Sequence, residues 1–549
     1  MMRSIKRSII LLAAFLTCTF AAKAQLTEYE LLGSYNEAAL EQLKVDLNVP
    51  DFFISVDHEV DVYKLTYQTP DPQGNITIAT GAVCIPQGAS CALPLTSYQH
   101  GTVAGKMDVP SAMSGELNIG LLLSTTGYVV ALPDYLGLGD SPGLHPYVHA
   151  KSEGTACLDM LRAVRDLSDE VEFFMNDQLM IYGYSQGGHA TMALHKEIQE
   201  NASDEFEVTV SIPMSGPYDI SGVQADVIVR DEFYPTPGYL PYVILAYNEV
   251  YGGGLYDDIS EVLKPPYDQT LPPLFDGNFS MGFINSQCPD IPNQILQDTL
   301  LENFRNDPNH RFRTFLRDND LYEWSPIAPV VMLYCEGDDQ VNFMNSVVAL
   351  DEFQSRGLDH VEARNLGDGD HSECFTPAIF ACKTILDQYR ILDLGVDIDA
   401  SISNEEGSID LVVNGGFPPF TFDWSNGAIG ASLSDLAAGV YTVTITDNNG
   451  CQDFFNFEVE DPSSILGILH SPLVLSPNPA SRSQASSIVV PDGLGVSNLQ
   501  IFNSNGKLVF ENEFEAAGSY ELPILNESGV YLVKLQNEES TYLAKWLNY

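Results

Sequence analysis

The sequence predicts an α/β domain, a mostly parallel sheet with helices on both faces and a helical cap insertion, followed by two small all-β sandwich modules. Three observations carry this. Between about Asp51 and Glu200, strand-like apolar runs alternate with helical patterns, the pattern of parallel strands joined by crossover helices. From about 217 to 324 the alternation lapses, and Pro, Tyr, Asn and Asp abound; so long an interruption between sheet strands is most simply a cap or lid. After about Leu394 the helical period disappears, and aliphatic runs are separated by Gly, Asn and Asp turns. At 549 residues and 45% hydrophobic content, the chain is long enough for several such units.

The elements follow in order. Residues 1–24 read as a signal peptide: Arg3, Lys6 and Arg7 precede the apolar stretch Ile9 to Phe20, and Ala22-Lys23-Ala24 is a small-x-small cleavage site. That stretch is too short to span a bilayer, and no later apolar run is long enough, so an exported, non-integral product is expected. The first domain is placed at 25–394. Its strands are Ile76 to Ile85, Leu93 to Tyr98, Gly127 to Leu132 and Leu179 to Tyr182, with helices at Ser152 to Leu167 and Gly187 to Gln199. Within the cap, about 217–324, Leu296 to Phe304 reads as helical. The sheet resumes at Pro329 to Tyr334, and helices at Phe343 to Arg356 and Thr376 to Leu392 complete the domain. A β unit follows at 395–461, a linker at 462–475 and a second β unit at 476–549.

Charge excludes some partners. With 25 Lys+Arg against 75 Asp+Glu, the formal net charge is −50. Such a chain repels nucleic acid and anionic lipid surfaces. The acids are dispersed rather than gathered in a tail, so solubility is their simplest role. Eight cysteines remain once Cys18 leaves with the signal. Some should pair in an exported protein, and Cys84 and Cys91, flanking a short Gly-containing loop, form the expected local pair. No C-x-x-C exists, so no metal site is expected.

The strongest chemical signal is Gly183-Tyr-Ser-Gln-Gly-Gly188, between a short apolar strand and a helix. Glycines there allow a sharp turn that presents the Ser185 hydroxyl above the carboxyl edge of the sheet. A serine at its ordinary pKa is a poor nucleophile and needs a base and an orienting acid. In this kind of fold the chain order is serine, acid, histidine. The acidic turn Glu336-Gly-Asp338-Asp339, after a strand, and the loop Gly367-Asp-Gly-Asp-His371, before the last helix, fit that order. His360, on a link between helix and strand, reads as exposed, which leaves His371 as the base. A tetrahedral intermediate needs two backbone N–H donors: Gln186, directly after the nucleophile, and Thr102, in the loop after the Leu93 strand, are the candidates. His145 and His149 have i,i+4 spacing, but the intervening proline and missing third ligand argue against a metal. His189 and His195 read as structural. No cofactor is implied.

These residues resemble a known family. Val60 to Tyr67, His100-Gly-Thr102, Pro133-Asp-Tyr-Leu-Gly-Leu-Gly139, Gly143 to His149, the Ser185 turn, Gly337-Asp-Asp-Gln-Val341 and Asp370-His371 are similar to the bacterial and fungal secretory lipase group of α/β hydrolases. The resemblance covers residues 51–390. It implies hydrolysis of small-molecule or lipid carboxylic esters by a Ser-His-Asp triad under a helical cap. Its acid-x-x-Val spacing points to Asp338, with Asp339 the alternative acid, otherwise facing solvent or capping a helix near Asn342. Asn342 departs from the proline common there.

Residues 395–461, with Gly415 to Gly427 and Leu436 to Cys451, resemble an SprB-like repeat of bacterial surface proteins. The C-terminal stretch, with Ser476-Pro-Asn-Pro-Ala480, Ile501 to Val509, Gly529 to Val533 and Lys545, resembles a type IX secretion sorting domain. That implies engagement of the type IX machinery and delivery outside a Gram-negative cell. Two other readings stand beside the ester hydrolase. One is a serine peptidase on the same scaffold, which would need a carboxylate to grip the substrate amine. The other is a non-catalytic surface adhesion protein, which would leave the Ser, His and Asp set without a purpose.

Overall fold

The structure, a computed structural model, describes residues 26–548 apart from 51–52, 90, 172, 391–395, 404–406, 416–417, 449–450, 460–474, 477–486, 491–496, 504–506, 515–517, 524–528 and 537–540. The expected signal peptide and nearly all of the expected linker lie outside the described residues.

Nine strands form one sheet: β1 (Leu26–Tyr35), β2 (Val60–Pro70), β3 (Ile76–Pro86), β4 (Leu93–Gln99), β5 (Val129–Pro133), β6 (Met175–Tyr184), β7 (Val208–Met214), β8 (Val330–Tyr334) and β9 (Val361–Asn365). Their order is β1-β2-β3-β5-β4-β6-β7-β8-β9. The pairs from β5 to β9 are parallel, while β1, β2 and β3 add an antiparallel edge. Every residue of β4 and β5 is buried, as expected of central parallel strands covered on both faces.

The helices are α1 (Glu37–Asp46), α2 (Leu117–Ser124), α3 (Ala150–Glu170), α4 (Gln186–Asn201), α5 (Ala225–Ile228), α6 (Tyr239–Val250), α7 (Tyr267–Thr270), α8 (Met281–Ser286), α9 (Asp298–Asn306), α10 (Arg311–Arg317), α11 (Met344–Ser355) and α12 (His371–Tyr389). Two apolar clusters line the sheet. One joins α3 and α4 to it through Leu161, Val164 and Leu194; the other joins α2 and α12 through Leu121, Cys374 and Ile385. The stretch between β7 and β8 carries α5 to α10 around a cluster of its own that includes Tyr247, Phe304 and Phe312. No helix among the described residues is long and apolar enough to cross a membrane.

Beyond the sheet domain, Val396–Ser403, Ser408–Gly415 and Ser432–Leu433 form one three-stranded sheet, and Thr421–Trp424, Gly439–Thr446 and Gln452–Val459 another. Trp424, Val443 and Ile445 lie in their shared core. The C-terminal stretch holds a three-stranded and a four-stranded antiparallel sheet.

One expectation is overturned. Cys84 does not pair with Cys91. It sits fully buried on β3, where its Sγ packs against Gly120 of α2, whereas Cys91 precedes β4 and bonds to Cys451 of the first β unit. A second disulfide joins Cys335 to Cys374. Proximity along a loop mispairs them because the strand commits the Cys84 side chain to the core face.

Candidate active site

The carboxyl ends of the parallel strands lie level. Gln99 pairs with Gly183, Tyr184 with Met214, Met214 with Leu333, and Tyr334 with Asn365. The loops that leave these strands therefore meet at one edge, where open α/β sheets bind ligands.

Ser185 stands between β6 and α4 at φ 62° and ψ −124°. A non-glycine residue there stores about 1–3 kcal/mol of strain, held by the surrounding packing. Its own N–H donates to Met214 O at 2.9 Å. The neighbouring glycines are required by close approach. A Cβ on Gly187 would lie 1.9 Å from Gln99 O, one on Gly183 2.4 Å from Gly187 O, and one on Gly188 2.5 Å from Met214 O. The G-x-S-x-G pattern is thus what lets the turn nest against the end of β4.

His371 is the first residue of α12, not a loop residue as expected. Asp370 caps the helix, accepting from the Ser372 and Glu373 N–H groups, while Glu373 reaches back to the Asp370 N–H in a capping box. His371 Nδ1 lies 2.8 Å from Asp338 Oδ2. The other Asp338 oxygen accepts the Gln340 and Val341 N–H groups at 3.1 and 2.8 Å, and its side chain is fully buried. Tyr184 OH donates to His371 O at 2.6 Å, tying the elbow strand to the start of α12. Gly337 permits the acidic turn to approach the histidine loop: a Cβ there would lie 2.1 Å from Asp368 O. Among the described residues Ser185 Oγ forms no hydrogen bond, the open geometry common before substrate binds.

Asp339 is exposed, as expected, but does not cap the helix near Asn342. Its Oδ1 accepts the His371 main-chain N–H at 3.3 Å, and Asn342 Oδ1 instead receives the Met344 N–H at the start of α11. The acidic turn folds towards the histidine loop rather than along α11, which brings both carboxylates to His371. His360 Nε2 meets Pro326 O at 2.8 Å, away from the site.

Gly101 brings the loop after β4 to the elbow, with its Cβ position 3.9 Å from the Ser185 Cβ. Thr102 Oγ1 pairs with Tyr147 OH at 3.0 Å. The main-chain N–H groups of Thr102 and Gln186 have no hydrogen-bond partner among the described residues. Beside Ser185 and Gln186 lies a cavity of about 60 Å³ lined mainly by apolar side chains of the cap region, among them Ile220, Leu240, Val243, Phe304 and Leu316.

His145 and His149 do not converge on a common ligand. His145 Nδ1 meets Leu136 O and its Nε2 meets Gln186, while His149 Nδ1 meets Ser152 Oγ. Among the described residues no group of three His, Cys, Asp or Glu is placed to hold a metal. His195 is buried against Trp324, and burial pushes its imidazole down to about 3. Sequence reading missed Glu153, 1% exposed beneath the elbow, where it binds both Gln186 and His189. Its signal was an acid on the core-facing stripe of α3, at i−4 and i−8 from Cys157 and Leu161.

Residues 112–216, which include Ser185, match the secretory lipase family, and residues 475–547 match the secretion system C-terminal sorting domain. The rice cell wall degrading esterase LipA from Xanthomonas oryzae is 30% identical, with a TM-score of 0.60 over 66% of this chain and 97% of its own. A Legionella pneumophila protein is 27% identical, with a TM-score of 0.62 over 66% of this chain and 98% of its own. Candida antarctica lipase A in its closed state shares the fold at 16% identity, with a TM-score of 0.51 over 66% of this chain and 82% of its own. A comparison with curated protein sequences finds no match.

Proposed function

Because the chain belongs to the secretory lipase family of α/β hydrolases, we propose that it cleaves its substrates through an acyl-enzyme on Ser185, with His371 as base, Asp338 as orienting acid and the Thr102 and Gln186 N–H groups as oxyanion donors. It is a secreted carboxylic ester hydrolase of the lipase and esterase class. In the proposed cycle His371 Nε2 takes the hydroxyl proton as Ser185 Oγ bonds to the ester carbonyl carbon. The carbonyl electron pair moves onto oxygen, which gathers the two N–H donors. Collapse expels the alcohol with the proton from His371, and water then repeats the sequence to release the acid. Asp338 keeps the proton on Nδ1, so that Nε2 is free to accept. The chemistry requires no metal or cofactor.

The observation that carries this reading is the 2.8 Å contact between His371 Nδ1 and a fully buried Asp338, at the same sheet edge as a serine held at positive φ. The cavity beside Ser185 supports an acyl group as its occupant: it is apolar, and no carboxylate lines it to grip a peptide amine. At about 60 Å³ it is far below the roughly 300–1,000 Å³ of drug-sized sites, which favours short acyl chains.

The test is a panel of p-nitrophenyl acetate, butyrate, octanoate and palmitate beside aminoacyl- and dipeptidyl-p-nitroanilides. The expected result is the highest kcat/KM on the acetate or butyrate, with Ser185→Ala folded and slower by about 10⁴-fold or more. Near-normal ester turnover by Ser185→Ala overturns the mechanism, and preference for the anilides replaces it with the peptidase reading.

The same proposal covers chain organisation: a signal peptide at 1–24, a hydrolase domain at 25–394 with its cap at 217–324, an SprB-like unit at 395–461, a linker at 462–475 and a sorting domain read by the type IX machinery from 476. A chain truncated before 476 should stay active and remain in the periplasm; normal delivery of that chain overturns the sorting assignment.

A further inference from the structure

The first turn of α4 rests on a buried polar network that the ester reaction does not itself use. Gln186 turns its side chain inward, 2% exposed. Its amide donates both hydrogens, to His145 Nε2 at 2.7 Å and to Glu153 Oε1 at 2.8 Å. The second Glu153 oxygen faces His189 Nδ1 at 2.6 Å, and His189 Nε2 faces Asn319 O at 3.0 Å.

The protonation states follow from the partners. His145 Nδ1 sits 2.8 Å from Leu136 O, so it carries the hydrogen and leaves Nε2 to accept from Gln186. Burial pushes this imidazole down to about 4, neutral at ordinary pH. His189 faces an oxygen at each nitrogen, an arrangement that favours the doubly protonated, cationic ring. Burial opposes that charge, but the Glu153 carboxylate and the two hydrogen bonds outweigh it and raise His189 above its ordinary value. Glu153 and His189 therefore form an ion pair with side chains 1% and 0% exposed.

We propose that Glu153 is a positioning residue for the oxyanion site, fixing the Gln186 main-chain N–H through the Gln186 side chain and the His189 ring. This rests on the reading of Ser185 as nucleophile. An N–H at the first helical position has no intrahelical partner, so its direction depends on how that residue is held. Gln186 is held from its side chain by two acceptors fixed on other parts of the fold, Glu153 on α3 and His145 in the loop before it. His189 also cancels the carboxylate charge, which, if unpaired so near the elbow, would oppose charge developing on the substrate oxygen.

The experiment compares wild type, Glu153→Gln and Gln186→Met with p-nitrophenyl butyrate, active sites being titrated with a fluorophosphonate. Gln186→Met keeps the main-chain N–H and removes only its anchor, and it serves where Glu153→Gln fails to fold. Loss of one oxyanion donor lowers kcat by about 10²–10³-fold, and a misdirected donor should cost about 10–100-fold. The expected result is that fall in kcat per titrated site with KM held within about twofold. The inhibition constant of butylboronic acid, whose serine adduct places an oxygen in the same donors, should rise by a similar factor. A merely structural role would lower the melting temperature while leaving kcat per titrated site and boronate affinity within about threefold of wild type; that result overturns the proposal. If the fluorophosphonate does not label Ser185 in the wild type, the nucleophile reading itself fails and the proposal falls with it.

Discussion

Exchanging Asp338 for Asn should abolish most turnover, by an orientation effect that can be worked from the contacts. One carboxylate oxygen accepts two main-chain N–H groups, from Gln340 at 3.1 Å and Val341 at 2.8 Å, and the other faces His371 Nδ1 at 2.8 Å. In the variant the amide has two ways to lie. Placing NH₂ against the two N–H donors would leave buried groups unsatisfied, at about 1–3 kcal/mol each. The carbonyl oxygen therefore stays on the backbone, and NH₂ points at Nδ1. His371 must then carry its hydrogen on Nε2, the atom that accepts the Ser185 proton in the proposed mechanism. Such a tautomer trap lowers kcat by about 10⁴-fold, or about 5 kcal/mol at 1.36 kcal/mol per tenfold. With the side chain fully buried, water offers no easy substitute. Asp339→Asn keeps an oxygen for the 3.3 Å contact with the His371 N–H and should stay within about threefold of wild type. The assay is kcat on p-nitrophenyl butyrate for both variants, with folding checked by circular dichroism. A loss below about tenfold in Asp338→Asn, or a larger loss in Asp339→Asn, refutes this reasoning.

Three further outcomes are expected. Ser185→Gly should relieve the strain at φ 62°, raising stability by up to about 1 kcal/mol while activity is lost; a lower denaturation midpoint would contradict the strain account. Removing the Cys335–Cys374 bond by the double Ser substitution opens a loop of sequence separation 39 and should cost about 4 kcal/mol in urea unfolding on the chain-entropy account. The bond ties the acid turn to α12, so kcat per folded molecule should fall as well. Asp320 is raised to about 7 by burial, from 3.8, and receives the Ser221 N–H and hydroxyl at 2.9 and 2.6 Å. Between those two pH values the folded chain holds a proton that the unfolded chain has lost, so stability falls as pH rises across that interval. Melting temperatures from pH 4 to 8 should show this slope in wild type and a weaker one in Asp320→Asn; equal slopes would remove Asp320 as its source.

Much of the site is legible along the chain because its signals are local. The Ser185 elbow needs a strand, three glycines and a helix within about twenty residues, and each glycine answers a contact with backbone only a turn or a neighbouring strand away. The expected strands and helices recur within a few residues of their observed ends, since the hydrophobic period that marks them is set by faces of single elements. The acid turn could be located in the same way, but sequence alone left Asp338 and Asp339 to be separated by a spacing rule.

What only the tertiary structure decided involves residues far apart in sequence. Asp338 meets His371 across 33 residues, Glu153 meets His189 across 36, and Cys91 joins Cys451 across 360. The local loop suggested Cys84 for that last bond, while the inward face of β3 had already committed its thiol to the core. His371 read as a loop residue although the helix start is a local signal: Asp370-His-Ser-Glu373 has the spacing of a capping box, and the glycines at 367 and 369 drew the loop assignment past it. In the sequence itself, residue types and local periods determined the sheet, the elbow and the chemistry on offer. The pairing of those groups depends on strand order and register, and these follow from packing of the whole core, which no single stretch of sequence contains.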